Sequence, residues 1–165
     1  MKGSHKIALY GVLMALTVIM TMVIQIPLPA SAGYLNLGDM VIFLTALILG
    51  KKAAFLVGGM GSALADILLG WGFYAPITFV AKGIEGFVAG WLLETTWGRK
   101  YPIIPTLIGG VVMALGYYSA EIFMYGAGAA LVNLPANIGQ GSFGAVVAVI
   151  LYALLKNRIA ILKIK

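Results

Sequence analysis

The sequence predicts an all-α membrane protein in which six transmembrane helices form one compact bundle. Of its 165 residues, 62% are hydrophobic and only 10% are charged, whereas soluble domains carry about 25% charged residues. The mean hydropathy of +1.04 exceeds what a soluble domain needs to bury one core. This composition excludes a soluble enzyme, a nucleic-acid-binding module and a disordered chain. It predicts a single membrane domain over residues 1–165.

Six apolar runs supply the predicted helices. A bilayer core about 30 Å thick needs roughly 20 apolar residues per crossing, so six crossings fit within this length. The predicted helices cover residues 7–26, 36–50, 53–70, 75–93, 103–126 and 134–156. Because the second run is short, we expect its helix to be tilted or partly interfacial.

Glycine and proline residues mark the breaks between these runs. In chain order the breaks lie at Pro27 to Pro29, at Gly50 to Lys52, at Gly70 to Gly72, at 98–105 and at 126–135. Pro76 opens the fourth run in its first turn, where a missing backbone N–H costs no hydrogen bond. The first run is too long for a signal peptide and ends in two prolines, so we expect it to remain as a helix.

The basic residues predict the orientation. Ten of the eleven lie at the chain ends or in alternate connections: Lys2, Lys6, Lys51, Lys52, Arg99, Lys100, Lys156, Arg158, Lys163 and Lys165. With an even number of helices, all ten lie on one side, and the three opposite connections hold none. The positive-inside rule then places both termini in the cytoplasm.

Polar residues within the predicted helices gather in the outer half of the bundle. They are Asp39, Asp66, Lys82, Glu85, Glu121 and Gln140, together with Asn133 and Asn137, which we expect to begin the sixth helix. Intramembrane charges are costly and usually face a partner or a wet cavity. Lys82 could pair with Glu85 or Glu121 only to neutralise itself, and Asp39 could only cap its helix. However, one lysine cannot pair with all four carboxylates, and the remaining hydrogen-bond acceptors favour a binding cavity.

Aromatic residues accompany this polar cluster. Tyr34, Trp71 and Tyr74 lie in or beside the outer connections, and Tyr117 lies in the fifth run. They can form an interfacial belt or stack on a flat ring that enters from outside. Acceptors, one amine, amides and aromatic rings suit a small heteroaromatic molecule that carries hydroxyl or amino groups.

Motifs for catalysis are missing from the sequence. There is no phosphate-binding Gly-x-x-x-x-Gly-Lys-Ser/Thr loop and no Gly-x-Ser-x-Gly elbow, there are no cysteines, and the single histidine is His5. We therefore predict no catalytic residue, no metal and no cofactor. Small residues four apart instead predict close helix packing, at Gly11/Ala15, Gly61/Ala65, Gly86/Gly90, Gly110/Ala114, Gly116/Ala120 and Gly141/Ala145.

Several short stretches carry a family resemblance. Residues 34–39 read Tyr-Leu-Asn-Leu-Gly-Asp, residues 58–66 read Gly-Gly-Met-Gly-Ser-Ala-Leu-Ala-Asp, and Tyr-Ala-Pro at 74–76 precedes Lys-Gly-Ile-Glu-Gly at 82–86. With six short helices and an outer polar cluster, the chain resembles the substrate-binding S-components of energy-coupling factor (ECF) vitamin transporters. The resemblance implies capture of a vitamin or precursor outside a prokaryotic plasma membrane. It also implies partnership with a transmembrane scaffold and two cytoplasmic ATPases, and delivery by toppling of the whole S-component.

The resemblance also assigns sites. It implies a pocket built mainly from helices four to six and capped by the loop at 28–36. The predicted substrate-binding residues are Lys82, Glu85, Glu121, Asn133, Asn137, Asn36, Asp39, Trp71, Tyr74 and Tyr117. Docking on the scaffold is implied for Ala8, Gly11 and Ala15 of the first helix, although Gly11 stands where an alanine is commoner.

The substrate and the coupling mechanism have alternatives. The Asn-Leu-Gly-Asp and Tyr-Ala-Pro stretches look most like members assigned to hydroxymethylpyrimidine or pyridoxine-type ligands, and thiamine and riboflavin remain open. A stand-alone proton-coupled carrier, with Glu85 or Glu121 as its proton site, is the second hypothesis. A membrane enzyme lacks the groups it would need, and a purely structural subunit would leave the outer polar cluster unexplained.

Overall fold

The computed structural model describes residues 3–27 and 34–156. Within these ranges the chain forms seven helices and one two-stranded hairpin. In order they are α1 (Gly3–Val23), β1 (Ile26–Pro27), β2 (Tyr34–Leu35), α2 (Gly38–Leu49), α3 (Lys51–Leu68), α4 (Ala75–Leu93), α5 (Thr96–Lys100), α6 (Ile103–Tyr125) and α7 (Ala127–Leu155). The strands pair antiparallel, with Ile26 opposite Leu35 and Pro27 opposite Tyr34. Residues 28–33 of the predicted lid at 28–36 and the basic residues Lys2, Arg158, Lys163 and Lys165 lie outside the described residues.

The predicted break at 126–135 is wrong. α7 begins immediately after Gly126, whose φ of +87° is a conformation that favours glycine, and it continues through Pro135. Proline removes one helical hydrogen bond to the residue four positions earlier, and here that residue is the exposed Leu131. Asn133 and Asn137 therefore lie inside α7 and do not begin the helix.

The short helix α5 is also absent from the predicted elements. It forms within the basic connection because Thr95 caps it: the Thr95 Oγ1 accepts a hydrogen bond from the Gly98 N–H at 3.1 Å. Between α2 and α3, by contrast, a break is found at Gly50 as predicted, but Lys51 and Lys52, predicted to belong to it, already lie in α3. Gly50 adopts a φ of +84°, which lets two helices follow one another with a single residue between them.

The second helix, which its short apolar run predicts to be tilted or partly interfacial, is enclosed by other helices. α2 has only 12 residues, but it packs against α1, α3, α4 and α7. Val41, Ile42 and Phe43 in its middle are fully buried. A helix enclosed by other helices need not match the bilayer thickness, because protein and not lipid surrounds it.

Small residues set the closest helix crossings, as the sequence predicts, but not at Gly11, where nothing lies within 4 Å of an added Cβ. A Cβ added to Gly141 of α7 would lie 2.7 Å from the Gly110 Cα of α6. A Cβ on Gly86 of α4 would lie 2.6 Å from the Ala54 carbonyl oxygen of α3. In a membrane, where van der Waals contact drives helix association, such approach stabilises the bundle.

The bundle has two chemically different ends. At one end, a groove brings together the basic connections, with Gly50, Glu94, Arg99 and Tyr152 in its lining. The Lys51 Nζ there lies 2.6 Å from the Glu94 Oε2. The middle holds an apolar core of Phe43, Ala46, Leu47, Ala54, Ala89, Leu93, Ala145 and Ala148. The polar residues discussed below surround a cavity beyond this core.

Four of the described helices are long and apolar enough to cross a membrane: α1 from His5 onward, α4, α6 and α7. α2 is apolar but shorter, and α3 carries Lys51, Lys52 and Asp66. Many large hydrophobic side chains point outward, as lipid-facing helices require. The chain is therefore an all-α membrane protein.

Candidate functional site

A polar cavity lies between the helices at the end opposite the basic connections. Counted with the solvent at its mouth, the space between these helices is about 490 Å³. Its lining comes from α1, α3, α4, α6, α7, the hairpin and the connections that follow β2 and α3. The residues are Thr21, Tyr34, Asn36, Ser62, Asp66, Trp71, Tyr74, Thr78, Lys82, Tyr117, Glu121, Asn137 and Gln140. Hydroxyl, carboxylate, amide, ammonium and aromatic groups thus face one space.

Lys82 of α4 provides the ammonium group of the cavity. It forms a buried ion pair with the Asp39 Oδ1 of α2 and lies 3.5 Å from the Glu85 Oε2 one turn along α4. Its Nζ also lies 5.9 Å from the centre of the Tyr117 ring, within cation–π distance. From the sequence, Glu85 and Glu121 are the candidate partners of Lys82. In the structure its partners are Asp39 and Glu85.

Asp39 connects this ammonium group to the start of α2. Its Oδ2 accepts a hydrogen bond from the Gln140 Nε2 of α7 at 2.9 Å. The Gln140 Oε1 in turn accepts from the Asn36 N–H at 2.8 Å, and the Asn36 Oδ1 accepts from the Gly38 N–H. Asp39 also lies in the first turn of α2, where the helix dipole favours an anion. It is thus more than a cap, because its side chain joins three helices.

Glu121 of α6 forms the second carboxylate centre. Its Oε1 accepts a hydrogen bond from the Tyr74 hydroxyl at 3.3 Å, and its Oε2 accepts from the Asn133 Nδ2 at 3.0 Å. Both neighbours hold the carboxylate in one orientation. Glu121 lines the cavity and is almost fully buried. Its carboxylate can therefore accept a hydrogen bond from a ligand, and the low local dielectric strengthens that bond.

The hairpin connects to α3 through Tyr34. The Tyr34 hydroxyl donates a 2.7 Å hydrogen bond to the Asp66 Oδ1. Burial, reinforced by this carboxylate, raises the pKa of Tyr34 above its ordinary value, so the phenol stays protonated and remains a donor. This bond anchors β2 over the cavity.

Aromatic rings cluster around Tyr34, Trp71 and Tyr74, which line the cavity. The Tyr34 and Trp71 ring centres are 6.4 Å apart, those of Phe73 and Tyr74 are 4.9 Å apart, and Tyr74 stacks near Tyr125 at 6.5 Å. Such a cluster offers flat apolar faces beside the polar groups.

Of the ten predicted substrate-binding residues, seven line the cavity: Asn36, Trp71, Tyr74, Lys82, Tyr117, Glu121 and Asn137. Asp39, Glu85 and Asn133 lie behind the lining and contact Lys82 or Glu121 instead. Buried partners of this kind orient the residues that face the cavity.

Six lining residues are missing from the predicted set: Thr21, Tyr34, Ser62, Asp66, Thr78 and Gln140. The sequence does place Asp66 and Gln140 in the outer half. Thr21 and Ser62 lie in α1 and α3, outside the helices that the family resemblance implies, and a single hydroxyl in an apolar run gives no signal of its own. The pocket extends further toward α1 and α3 than expected.

A small helical membrane bundle with one polar, aromatic-rimmed cavity defines a membrane protein that binds a small polar ligand. A family model described as "ECF-type riboflavin transporter, S component" matches residues 2–157, and the chain belongs to this family. It is accordingly a transporter S component of the vitamin or vitamin-precursor type.

Two relatives extend the comparison. The chain is 31% identical over 157 residues to the thiamine precursor transporter HmpT of Lactococcus lactis subsp. cremoris, covering 94% of this chain and 90% of the relative. It is 41% identical over 139 residues to an uncharacterized protein of Pyrococcus woesei, covering 84% of this chain and 93% of that one.

Proposed function

We propose that this S component captures a thiamine precursor of the hydroxymethylpyrimidine type, or a similar pyridoxine-like ring, from outside the cell. The cavity carries the proposal, because carboxylates, amides and one ammonium group surround a space rimmed by aromatic rings. Ring nitrogens and an exocyclic amine match these donors and acceptors, and the flat ring matches the aromatic rim. The similarity to a thiamine precursor transporter supports this choice.

The proposed orientation places the cavity outside and the basic connections in the cytoplasm. In it the chain is a single membrane domain over residues 1–165 that crosses a prokaryotic plasma membrane six times, with α2 and α3 as the two shorter crossings. Both termini are cytoplasmic. The separation of the basic groove from the polar cavity supports this arrangement.

Delivery requires partners in this proposal. The apolar core around Phe43 and Ala89 fills the bundle between the cavity and the basic end. This filling favours movement of the whole protein over passage of substrate through it. ATP hydrolysis would come from two cytoplasmic ATPases coupled through a transmembrane scaffold, and this chain would catalyse no reaction.

The proposed scaffold contact lies on α1. Ala8, Gly11 and Ala15 are exposed on this helix, and nothing lies within 4 Å of a Cβ added to Gly11. Small residues on an open helix face allow close approach of a second membrane protein. Thr17 and Thr21, in contrast, are buried on the same helix.

Native mass spectrometry of the protein, purified in mild detergent from cells grown in rich medium, tests the substrate. We expect one pyrimidine or pyridine vitamin per chain, identified after release and confirmed by calorimetry with the pure compound. Release of riboflavin or thiamine would replace the proposed substrate and keep the transport role. An empty protein that binds none of a vitamin panel would contradict capture.

Transport assays separate the proposed role from that of a stand-alone proton-coupled carrier. Uptake into cells should disappear when the partner ATPases are deleted. Uptake that persists without them and collapses with an uncoupler would instead favour a carrier, with Glu85 or Glu121 as its proton site.

A further inference from the structure

One wall of the cavity differs from the rest in its hydrogen bonding. Lys82, Glu121, Gln140 and Tyr117 already have protein partners. On the α1 and α3 side, the Thr21 Oγ1, the Ser62 Oγ and the Asp66 Oδ2 are buried and have no hydrogen bond within 3.5 Å among the described residues, with the Thr78 hydroxyl as the further polar neighbour of the Asp66 carboxylate. All three belong to residues that line the cavity. Buried polar atoms are rarely left unpaired without a role.

The helix geometry places these three atoms in one region. Thr17 and Thr21 lie one turn apart on α1. Thr17 packs against α3 at Gly61, the neighbour of Ser62, because a Cβ added to Gly61 would lie 2.9 Å from the Thr17 Cβ. Asp66 follows Ser62 by one turn of α3. A Cβ on Gly38 would also lie 2.5 Å from the Thr21 Oγ1, so this hydroxyl faces the start of α2.

We propose that Thr21, Ser62 and the Asp66 Oδ2 form a subsite for an aliphatic hydroxyl group of the substrate. This inference rests on the proposed function and assigns the substituent that the α1 and α3 wall recognises. A carboxylate oxygen only accepts, whereas the two protein hydroxyls can each donate. A ligand hydroxyl donates one hydrogen bond to Asp66 and accepts one from Thr21 and one from Ser62. A methyl group at the same place would leave all three atoms unpaired.

The subsite therefore determines specificity. A site built to hydrogen-bond a hydroxyl discriminates strongly against an analogue that lacks it, because its buried polar groups then stay unsatisfied. The ring itself is bound elsewhere, by the aromatic rim and by the groups around Lys82 and Glu121. Removing the subsite hydroxyls should therefore reduce the preference for a hydroxyl-bearing ligand. It should have a smaller effect on the affinity for the ring itself.

A pair of probes tests the subsite by calorimetry: 4-amino-5-hydroxymethyl-2-methylpyrimidine and its 5-methyl counterpart. We expect the wild type to bind the hydroxymethyl compound at least tenfold more tightly. In Thr21→Val and in Ser62→Ala this preference should fall at least threefold. Thr17→Val is the matched control, because Thr17 is equally buried on α1 but donates to the Leu13 carbonyl and does not line the cavity.

An unchanged preference in both variants would overturn the proposal. So would an equal loss of affinity for both probes, because that would indicate damage to the fold and no recognition of the hydroxyl. A preference that falls in Thr17→Val as much as in the cavity variants would overturn it as well.

A second measurement uses no ligand and separates this inference from the proposed substrate. If wild-type protein binds neither probe, the pyrimidine assignment is wrong, and the unfolding temperature of ligand-free protein in detergent decides the subsite alone. Thr21→Val and Ser62→Ala should unfold no lower than wild type, because each removes a buried group without a partner. A clear drop in both would mean that the hydroxyls hold the fold together, and it would overturn the proposal.

Discussion

Asp39 in the first turn of α2 and Lys82 in the middle of α4 form an ion pair in which both side chains are almost completely buried. The two residues are 43 positions apart in the sequence. Their pairing fixes the central helix α2 against α4 and holds the ammonium group at the wall of the cavity.

Breaking this pair from one side should destabilise the protein strongly. Lys82→Met or Asp39→Asn leaves the other charge buried without its main partner, which typically costs about 3–5 kcal/mol. The double variant Asp39→Asn/Lys82→Met should recover part of that loss. Unfolding in detergent, followed by helical circular dichroism, measures each value.

The exposed pair of Lys51 and Glu94 is the matched control for this experiment. Its side chains keep 28% and 47% of their accessible surface, so Lys51→Met should cost about 1 kcal/mol or less. Equal effects at both pairs, or a double variant as unstable as the sum of its singles, would contradict the importance of the buried pair.

Substrate affinity should depend on the charges in the cavity. We predict that Glu121→Gln, which keeps the shape of the side chain, weakens binding at least tenfold, or about 1.4 kcal/mol, because a neutral amide accepts less strongly than a carboxylate. Lys82→Met should weaken it by at least as much. Calorimetry with the compound identified by mass spectrometry measures both.

Ser119→Ala provides the control on the same helix, since its hydroxyl bonds the Leu115 carbonyl on the exposed side of α6. Unchanged affinity in both Glu121→Gln and Lys82→Met, with normal expression, would mean that the two side chains pair only with other protein groups and do not contact substrate.

The contact between α6 and α7 should tolerate no side chain at its centre. Gly141→Ala places a Cβ 2.7 Å from the Gly110 Cα, and backbone cannot yield as a flexible side chain can. We expect a loss of about 1–3 kcal/mol from overpacking. Gly139→Ala on the same helix meets open space and should gain stability from the better helix propensity of alanine. Thermal unfolding that ranks the two variants in the opposite order would refute this packing.

Substitutions on the exposed face of α1 should abolish transport without weakening substrate binding. Gly11→Leu and Ala15→Leu add bulk to an exposed face, so substrate affinity should stay unchanged while uptake with the partner subunits is lost. Gly139→Leu adds the same bulk to an equally open position of α7 and should transport normally. If uptake survives both α1 changes, the scaffold docks elsewhere.

Several features followed from the sequence alone because they depend on local chemistry. Composition and hydropathy determined an all-α membrane protein. Gly50 marked the break after the second helix, and its φ of +84° is a conformation that favours glycine. Small residues four apart predicted close crossings such as that of Gly110 with Gly141. The short motifs around Asp39 and Lys82 were sufficient for the family resemblance, which the match over residues 2–157 confirms.

Other features were decided only by the tertiary structure. Sequence spacing brings Glu85 to Lys82, but the pairing of Lys82 with Asp39 depends on how α2 and α4 rotate against each other. The burial of α2, the continuation of α7 through Pro135, and the place of Thr21 and Ser62 in the cavity wall depend on neighbouring helices in the same way. Hydropathy shows that a segment belongs in the membrane. Whether a given residue there faces lipid, a helix or the cavity is settled by packing, because contacts between distant helices have no counterpart in local sequence.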